Sequence, residues 1–183
     1  MRRCGRRAAL VLGLAAAVLL GACAVAPRVA DAPGDTLAGR MAVRVESIDG
    51  GTARSVSAAF ELQGNADAGR LSLSTPLGSM LAQARWSPGS VWLVTPQGER
   101  QFADLDALTR EVLGEALPVA ALFDWLRGRP WPGAPSQAAI SPNEPGFAQL
   151  GWTVDLARFG DAWVTARRDS APVVTVRAKV DAS

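Results

Sequence analysis

Apolar and polar residues alternate along the chain from Leu37 to Phe102, and this period of two is typical of β-strands with one buried face. Glycine, proline, asparagine and aspartate interrupt the alternation at positions where hairpin turns would fall. The predicted strands cover residues 37–45, 55–62, 70–74, 79–86, 91–95 and 100–102. This part of the chain therefore predicts one antiparallel sheet with an apolar face and a polar face.

At Asp104 the spacing of apolar residues changes from that of a strand to that of a helix. Leu105, Leu108 and Val112 fall on one face of an α-helix. Asp104 is a suitable N-cap, and Gly114 stands where a glycine commonly ends a helix. The sequence therefore predicts an amphipathic helix between these two residues.

A second amphipathic helix is predicted after Pro118, because proline is favoured in the first turn. Its apolar stripe consists of Val119, Leu122, Phe123 and Leu126. Glycine and proline residues between 128 and 133 end this helix, and the alternating pattern then returns in segments 149–156, 162–166 and 173–180. Two short helices inserted into a series of antiparallel strands are expected to lie across one face of the sheet.

Residues 1–22 have the pattern of a signal peptide. Four arginines precede an apolar run, 8–20, that is shorter than the roughly 20 residues needed to span a bilayer. Small residues then lead to Cys23, whose thiol is expected to carry a lipid after cleavage. The alternative is an ordinary secretory signal that has a cysteine there by chance. The first interpretation predicts a lipidated cysteine and flexible, proline-containing tether at 23–35 and a single domain at 36–183.

Composition narrows the chemistry expected of this domain. The chain has no histidine, and its two cysteines, Cys4 and Cys23, precede the domain, so a disulfide, a metal site or a thiol nucleophile is not expected. The formal charge of +2 arises from the signal-peptide arginines, which argues against nucleic acid as a partner. No Gly-x-Ser-x-Gly motif occurs, and Glu111 and Glu115 are typical of a solvated helix face. We therefore expect neither an enzyme nor a cofactor.

Binding of an apolar ligand is the natural hypothesis for a chain rich in alanine, leucine, valine and tryptophan. A curved sheet that is covered by short helices can enclose a cavity. The candidate lining residues are Val43, Phe60, Leu71, Leu73, Leu93, Leu108, Leu122, Trp125, Trp152 and Trp163. The alternative for each of them is a place in a solid hydrophobic core.

The turn between the third and fourth predicted strands is unusual, because hairpin turns are normally polar. Pro76, Leu77 and Gly78 occupy it, with leucine at the tip. An exposed leucine there could touch a membrane or a partner protein. The alternative is that Leu77 folds back onto the sheet.

Several stretches are similar to one family. Leu71–Ser79 and Pro88–Val91 resemble its central hairpins, Leu117–Pro130 resembles its helical segment and following loop, and Gly39–Met41 resembles its first strand. The family is LolB, the outer-membrane receptors of the lipoprotein localisation (Lol) pathway. Residues 131–146 and a last strand without an aromatic residue depart from the family pattern, so local differences are expected there.

The resemblance implies an incomplete antiparallel β-barrel, mainly β with inserted helices that cover its concave side and enclose a hydrophobic cavity for acyl chains. It implies a lipid-anchored monomer on the periplasmic face of the outer membrane. Ala24 agrees with that location, because similar lipoproteins that stay in the inner membrane usually have aspartate after the cysteine. The implied partners are the periplasmic carrier LolA, acylated lipoprotein cargo and the inner leaflet of the outer membrane.

In this family a protruding loop presents an apolar residue needed for membrane insertion, and its position matches Leu77. Leu77→Glu is accordingly expected to impair release of cargo into membranes. Another class of function stays open from the residues alone: a structural or assembly lipoprotein that binds a protein through its sheet, with a solid core and no acyl ligand.

Overall fold

The computed structural model describes residues 36–47, 52–138 and 145–182, which form one 11-stranded antiparallel sheet. The strands are β1 (Leu37–Val45), β2 (Arg54–Gly64), β3 (Gly69–Ser74), β4 (Met80–Ser87), β5 (Ser90–Thr95), β6 (Gly98–Phe102), β7 (Ser136–Ala138), β8 (Gly146–Gln149), β9 (Trp152–Asp155), β10 (Trp163–Arg168) and β11 (Val174–Val180). The predicted signal peptide, Cys23 and the tether lie outside the described residues.

The order of hydrogen-bonded strands is β6-β5-β4-β3-β2-β1-β11-β10-β9-β8-β7. Strands β1 and β11 pair antiparallel from Gly39 opposite Val180 to Val45 opposite Val174, so the first and last strands meet in the middle of the sheet. Strands β6 and β7 form the two edges and do not pair with each other. The sheet is therefore an incomplete barrel with inserted helices, and the predicted fold class is confirmed.

Helix α1 (Leu105–Leu113) begins and ends where the sequence predicts. The side chain of Asp104 accepts a 2.6 Å hydrogen bond from the backbone N–H of Ala107, and Gly114 adopts a left-handed conformation with φ of 87°. Helix α2 (Val119–Trp125) follows Pro118 as predicted. It ends at Trp125, directly before Leu126, which is the last residue of the predicted apolar stripe. A 3₁₀ helix (Phe159–Asp161) precedes β10.

Side chains on the inner face of the sheet pack against both helices and form the core. In β2, for example, Ala58, Phe60 and Leu62 are buried, and the intervening side chains face outward. Phe123 of α2 packs edge to face on Trp86 of β4, with ring centroids 5.9 Å apart. The helices therefore cover the apolar face that the alternation predicts.

The predicted strand 149–156 is wrong, because the chain turns within it. Strands β8 and β9 form a hairpin in which Gln149 pairs with Trp152. Leu150 and Gly151 make the turn with φ values of 55° and 76°, a backbone geometry that matches the twist of hairpins. An exposed leucine in the turn imitates the apolar pattern of a strand, which is why the periodicity misses the break.

Two smaller features also differ from the sequence prediction. Strand β7 lies in the stretch 131–146, where no element was predicted, and it adds a short edge to the sheet. Val112 is 46% exposed, so only part of the expected stripe on α1 is buried.

Among the described residues, no helix is long and apolar enough to cross a bilayer.

Candidate functional site

An apolar cavity of about 100 Å³ lies between the inner face of the sheet and the two helices. Its lining residues are Met41, Val43, Val56, Ala58, Leu71, Leu73, Ala82, Ala84, Leu93, Leu108, Thr109, Val112, Leu113, Leu117, Val119, Leu122 and Val176. The hydroxyl of Thr109 donates to the carbonyl of Leu105 at 3.0 Å and accepts from the N–H of Leu117 at 3.0 Å. Because this hydroxyl is already hydrogen-bonded, the wall offers a ligand an apolar surface.

Six predicted candidates line this cavity: Val43, Leu71, Leu73, Leu93, Leu108 and Leu122. They come from β1, β3, β5 and both helices, so the fold brings together residues that are far apart in the sequence. Leucine and valine present only hydrocarbon to the space between them. The arrangement can hold an apolar group and offers it no hydrogen-bonding partner.

Phe60, Trp125 and Trp152 belong to the core and are not among the residues that line the cavity. Trp125 packs on Phe147 and on Trp152, with ring centroids 6.4 and 6.1 Å away. Its neighbours fill the space around it, so no free surface is left for a ligand. In this structure the three aromatic residues are buried in the core beside the cavity, and their contact with an acyl chain stays a prediction.

Trp163 lies on the opposite face of the sheet from the cavity. Val164 and Ala166 of β10 are buried on the inner face, and alternation along the strand places Trp163 outward. The guanidinium of Arg158 stacks over its ring at 5.6 Å. The prediction that Trp163 lines the cavity is therefore wrong.

Other lining residues were missed, although their positions on the strands mark them. Met41 and Val43 share a face of β1, and Val56 and Ala58 share the inner face of β2 with Phe60. Small residues such as Ala82 and Ala84 leave the space that larger neighbours surround. Counting alternate positions from one buried residue would have found this set.

Val56 and Val112 mark the rim of the cavity, since they line it and remain 37% and 46% exposed. The C-terminal end of α1 lies beside the beginning of β2: a Cβ added to Gly114 would be 3.0 Å from Nη1 of Arg54. The rim is therefore at the end of the sheet where β2 begins.

The present volume is too small for a long acyl chain. An apolar cavity of about 150 Å³ holds one benzene molecule, and a fatty acyl chain has more carbon atoms than benzene. The sheet is held by hydrogen-bonded ladders between strands, whereas helix residues such as Leu108, Leu122 and Phe123 join it through the hydrophobic core. A long acyl chain would therefore need more space than the cavity has in this structure.

The connection between the helices is held to the sheet by an ion pair. Nη2 of Arg168 in β10 lies 2.7 Å from Oε2 of Glu115, and the guanidinium of Arg168 stacks on Trp152 at 5.7 Å. The two side chains are 18% and 26% exposed, so solvent screens this pair less than the surface pairs. Separation of the helices from the sheet has to break or stretch this contact.

The β3–β4 loop presents Leu77 to solvent, with 95% of its surface exposed. The N–H of Thr75 donates to the carbonyl of Ser79 at 2.9 Å, and the N–H of Gly78 donates to the carbonyl of Thr75 at 2.9 Å. Gly78 has a φ of 84°, which glycine adopts without strain. The loop is therefore a closed turn with Leu77 at its tip, and this leucine does not fold back onto the sheet.

The fold and the site define an open antiparallel half-barrel in which two helices cover an apolar cavity and one hairpin loop exposes a leucine. The family model described as outer membrane lipoprotein LolB matches residues 36–174. The chain therefore belongs to the LolB family of outer-membrane lipoproteins, which confirms the resemblance, the lipid anchor and the outer-membrane location.

Three relatives named outer-membrane lipoprotein LolB illustrate the similarity. The protein of Bordetella pertussis is 35% identical over 157 residues, which cover 82% of this chain and 78% of the relative. The protein of Thiobacillus denitrificans is 36% identical over 167 residues, covering 85% and 84%. The protein of Cupriavidus taiwanensis is 35% identical over 190 residues, covering 99% and 90%.

Proposed function

We propose that this protein accepts acylated lipoproteins from the periplasmic carrier LolA into the cavity and inserts them into the inner leaflet of the outer membrane. The observation that carries the proposal is the cavity wall, in which side chains from the sheet and both helices offer only apolar surface. Such a wall favours a hydrocarbon ligand over a polar one. Cys23 is proposed as the lipidation site that keeps the protein at its membrane.

Hydrophobic transfer energies explain why a lipoprotein needs a cavity at each step. Three acyl chains contain roughly 40 methylene groups, and exposing them to water costs on the order of 30 kcal/mol at about 0.8 kcal/mol each. Passage from one apolar cavity to another, and then into a bilayer, avoids that exposure. A modest difference in affinity at each step is sufficient to give the transfer a direction.

The position of the loop suits the release of cargo at a membrane. Ser74, the last residue of β3, pairs with Ala59, and the loop continues towards the beginning of β2. Val56 at the rim of the cavity lies at that same end of β2. A cargo chain that leaves past Val56 would therefore emerge beside Leu77, the residue proposed to enter the bilayer together with Pro76 and Gly78.

The helices act as the movable wall in this proposal. In the closed form the ion pair of Glu115 with Arg168 holds the connection between α1 and α2 against β10. Entry of an acyl chain supplies hydrophobic energy that offsets the loss of this contact. The lining residues of α1 and α2, Leu108 and Leu122 among them, then pack on the ligand in place of the sheet.

Site-specific photo-crosslinking tests the proposal. A photoreactive residue replaces Leu93, which lines the cavity, and radiolabelled acylated lipoprotein is supplied on LolA. The matched control places the same residue at Trp92, which precedes Leu93 in β5 and points to the other face of the sheet. We expect crosslinks to the acyl chains from position 93 and not from position 92.

A folded protein that gives no crosslink from position 93 would contradict the proposal. That result would favour an assembly lipoprotein with a solid core, which binds a protein partner through its sheet. Crosslinks of equal yield from both positions would indicate nonspecific contact and would also count against an acyl-binding cavity.

A further inference from the structure

The outer face of the sheet, opposite the cavity, carries a block of positive charge. Arg40 and Arg44 of β1 and Arg177 and Lys179 of β11 all point outward, because the residues between them pack towards the core. Arg40 lies directly opposite Lys179 in the β1–β11 ladder. Arg177 lies opposite Ala42 and is therefore a diagonal neighbour of both Arg40 and Arg44. We name these four cations the basic face.

Placing like charges across a β-ladder costs stability, so this block calls for a compensating partner. The neighbouring outward positions on β2 and β10 carry no carboxylate; they are Ser55, Ser57, Ala59, Trp163, Thr165 and Arg167. The four cations form no ion pair with any residue that the structure describes. Carboxylates border the block at its two ends: Glu61 and Asp181 lie where β1 begins, and Glu46, which directly follows β1 and interacts electrostatically with Arg167, lies where β1 ends.

Arg167 differs from the four, because it has a carboxylate of its own. Its Nε lies 2.6 Å from Oδ1 of Asp169, and this hydrogen bond raises the pKa of the Arg167 guanidinium. The pair is close to neutral as a unit. The positive field of the outer face therefore comes from β1 and β11.

The basic face is continuous with the loop that presents Leu77. Pro76 of that loop, Arg40 and Lys179 line one groove of about 420 Å³. A second groove of about 310 Å³ runs from Pro76 past Arg40 to Arg177 and Trp163. Pro76 of the loop and the cations thus form one surface, with the indole of Trp163 at its far side.

We propose that the basic face binds the phosphate groups of anionic phospholipids and so orients the protein with its Leu77 loop towards the bilayer. The inference rests on the proposed function, since it assumes that this loop meets a membrane. A membrane fits better than an acidic protein, because Leu77 and Leu81 expose apolar side chains in and beside the loop that adjoins the basic face. Trp163 suits the boundary between headgroups and hydrocarbon.

Electrostatic binding of this kind has a measurable size. Each lysine or arginine near an anionic membrane surface contributes about a fivefold change in the docking equilibrium. Removing two cations should therefore reduce the ratio of docked to undocked protein about 25-fold. Salt should weaken the interaction, since the Debye length falls from about 10 Å at 0.1 M to about 3 Å at 1 M.

The test uses the complete lipidated protein reconstituted in vesicles. Thr165→Cys supplies a labelling site on the outer face, and the natural Cys23 carries the lipid in the proposed function. A fluorophore at position 165 should be protected from an aqueous quencher in vesicles that contain phosphatidylglycerol, and less so in pure phosphatidylcholine. The double variant R177Q/K179Q should abolish most of this protection.

The matched control, R100Q/R110Q, makes the same change in net charge away from the basic face, at two side chains that are 61% and 59% exposed. Equal protection in both lipids would overturn the inference. The same holds if R177Q/K179Q leaves the protection unchanged, or if the control variant reduces it as much as R177Q/K179Q does. Protection that appears only when the carrier protein is added would also overturn it.

Crosslinking of cargo from position 93 in the same samples separates the two proposals. Cargo uptake without lipid-dependent protection would overturn the basic face alone. If the labelled protein without R177Q/K179Q gives no crosslink to cargo, the proposed function is overturned, whatever the fluorophore at position 165 reports.

Discussion

The indole Nε1–H of Trp125 donates a 2.7 Å hydrogen bond to Oε1 of Gln149, a side chain that is only 2% exposed. The same oxygen accepts the backbone N–H of Trp131 at 2.9 Å. Nε2 of Gln149 donates to the carbonyls of Trp131 and Ala134, each at 2.7 Å. One amide from β8 therefore fixes helix α2 and the loop after it to the sheet.

We predict that Gln149→Leu lowers the free energy of unfolding by about 3 kcal/mol, because it leaves several buried polar groups without partners. Chemical denaturation measures the loss. The control Gln101→Leu changes an exposed residue on edge strand β6 and should alter stability by less than about 0.5 kcal/mol. Equal losses in the two variants would contradict the role given to Gln149.

Glu115→Gln should weaken the contact that holds the connection between α1 and α2 against the sheet. The partly buried pair with Arg168 loses its charge complement, and we expect the free energy of unfolding to fall by about 1–2 kcal/mol after allowance for solvent screening. Binding of an apolar fluorescent probe should become severalfold tighter, because less energy is needed to open the cavity.

The control for this prediction is Glu111→Gln, on the same helix. Glu111 pairs with Arg100, and both side chains are more than half exposed, so little change is expected. Tighter probe binding in Glu111→Gln, or weaker binding in Glu115→Gln, would show that the pair does not restrain the cover.

Leu77→Glu should leave folding and cargo uptake intact but impair release into membranes, because a charged side chain resists entry into hydrocarbon. Circular dichroism, crosslinking from position 93 and transfer of cargo to vesicles measure the three steps. Leu150→Glu is the matched control, since Leu150 is also an exposed leucine in a hairpin turn. Normal release by Leu77→Glu would refute the assignment of the loop.

Ala84→Leu should partly fill the cavity and reduce saturable uptake of an apolar probe. Because the added carbons enter existing space, the free energy of unfolding should change by less than about 1 kcal/mol. Ala166→Leu is the comparison: Ala166 is buried in solid core, where overpacking costs about 1–3 kcal/mol. Equal destabilisation by both substitutions would indicate that no usable space adjoins Ala84.

Sequence pattern predicts which face of a strand is buried more reliably than it predicts what the buried side chain touches. Phe60 and Leu93 both occupy inward positions, yet only Leu93 lines the cavity. The difference depends on how residues from distant elements pack together in the core to which Phe60 belongs. No local pattern carries that information.

The errors at Trp163 and at residues 149–156 have different physical origins. The size and apolar character of Trp163 favour burial. Val164 and Ala166 are the buried positions of β10, however, and strict alternation along the strand places Trp163 on the outer face. At Leu150 an apolar residue occupies a turn that normally holds asparagine or aspartate. The position of Leu77 was predictable for the opposite reason, since Pro76 and Gly78 mark a turn whatever stands between them.

The pairing of β1 with β11 places the first strand of the sheet in chain order beside the last one. Contacts of such long sequence separation make folding slow, because loop entropy is lost before they form. The apolar face of β1 therefore lacks one of its two partner strands until β11 has formed. The core of this domain is therefore complete only once the two ends of the domain have met.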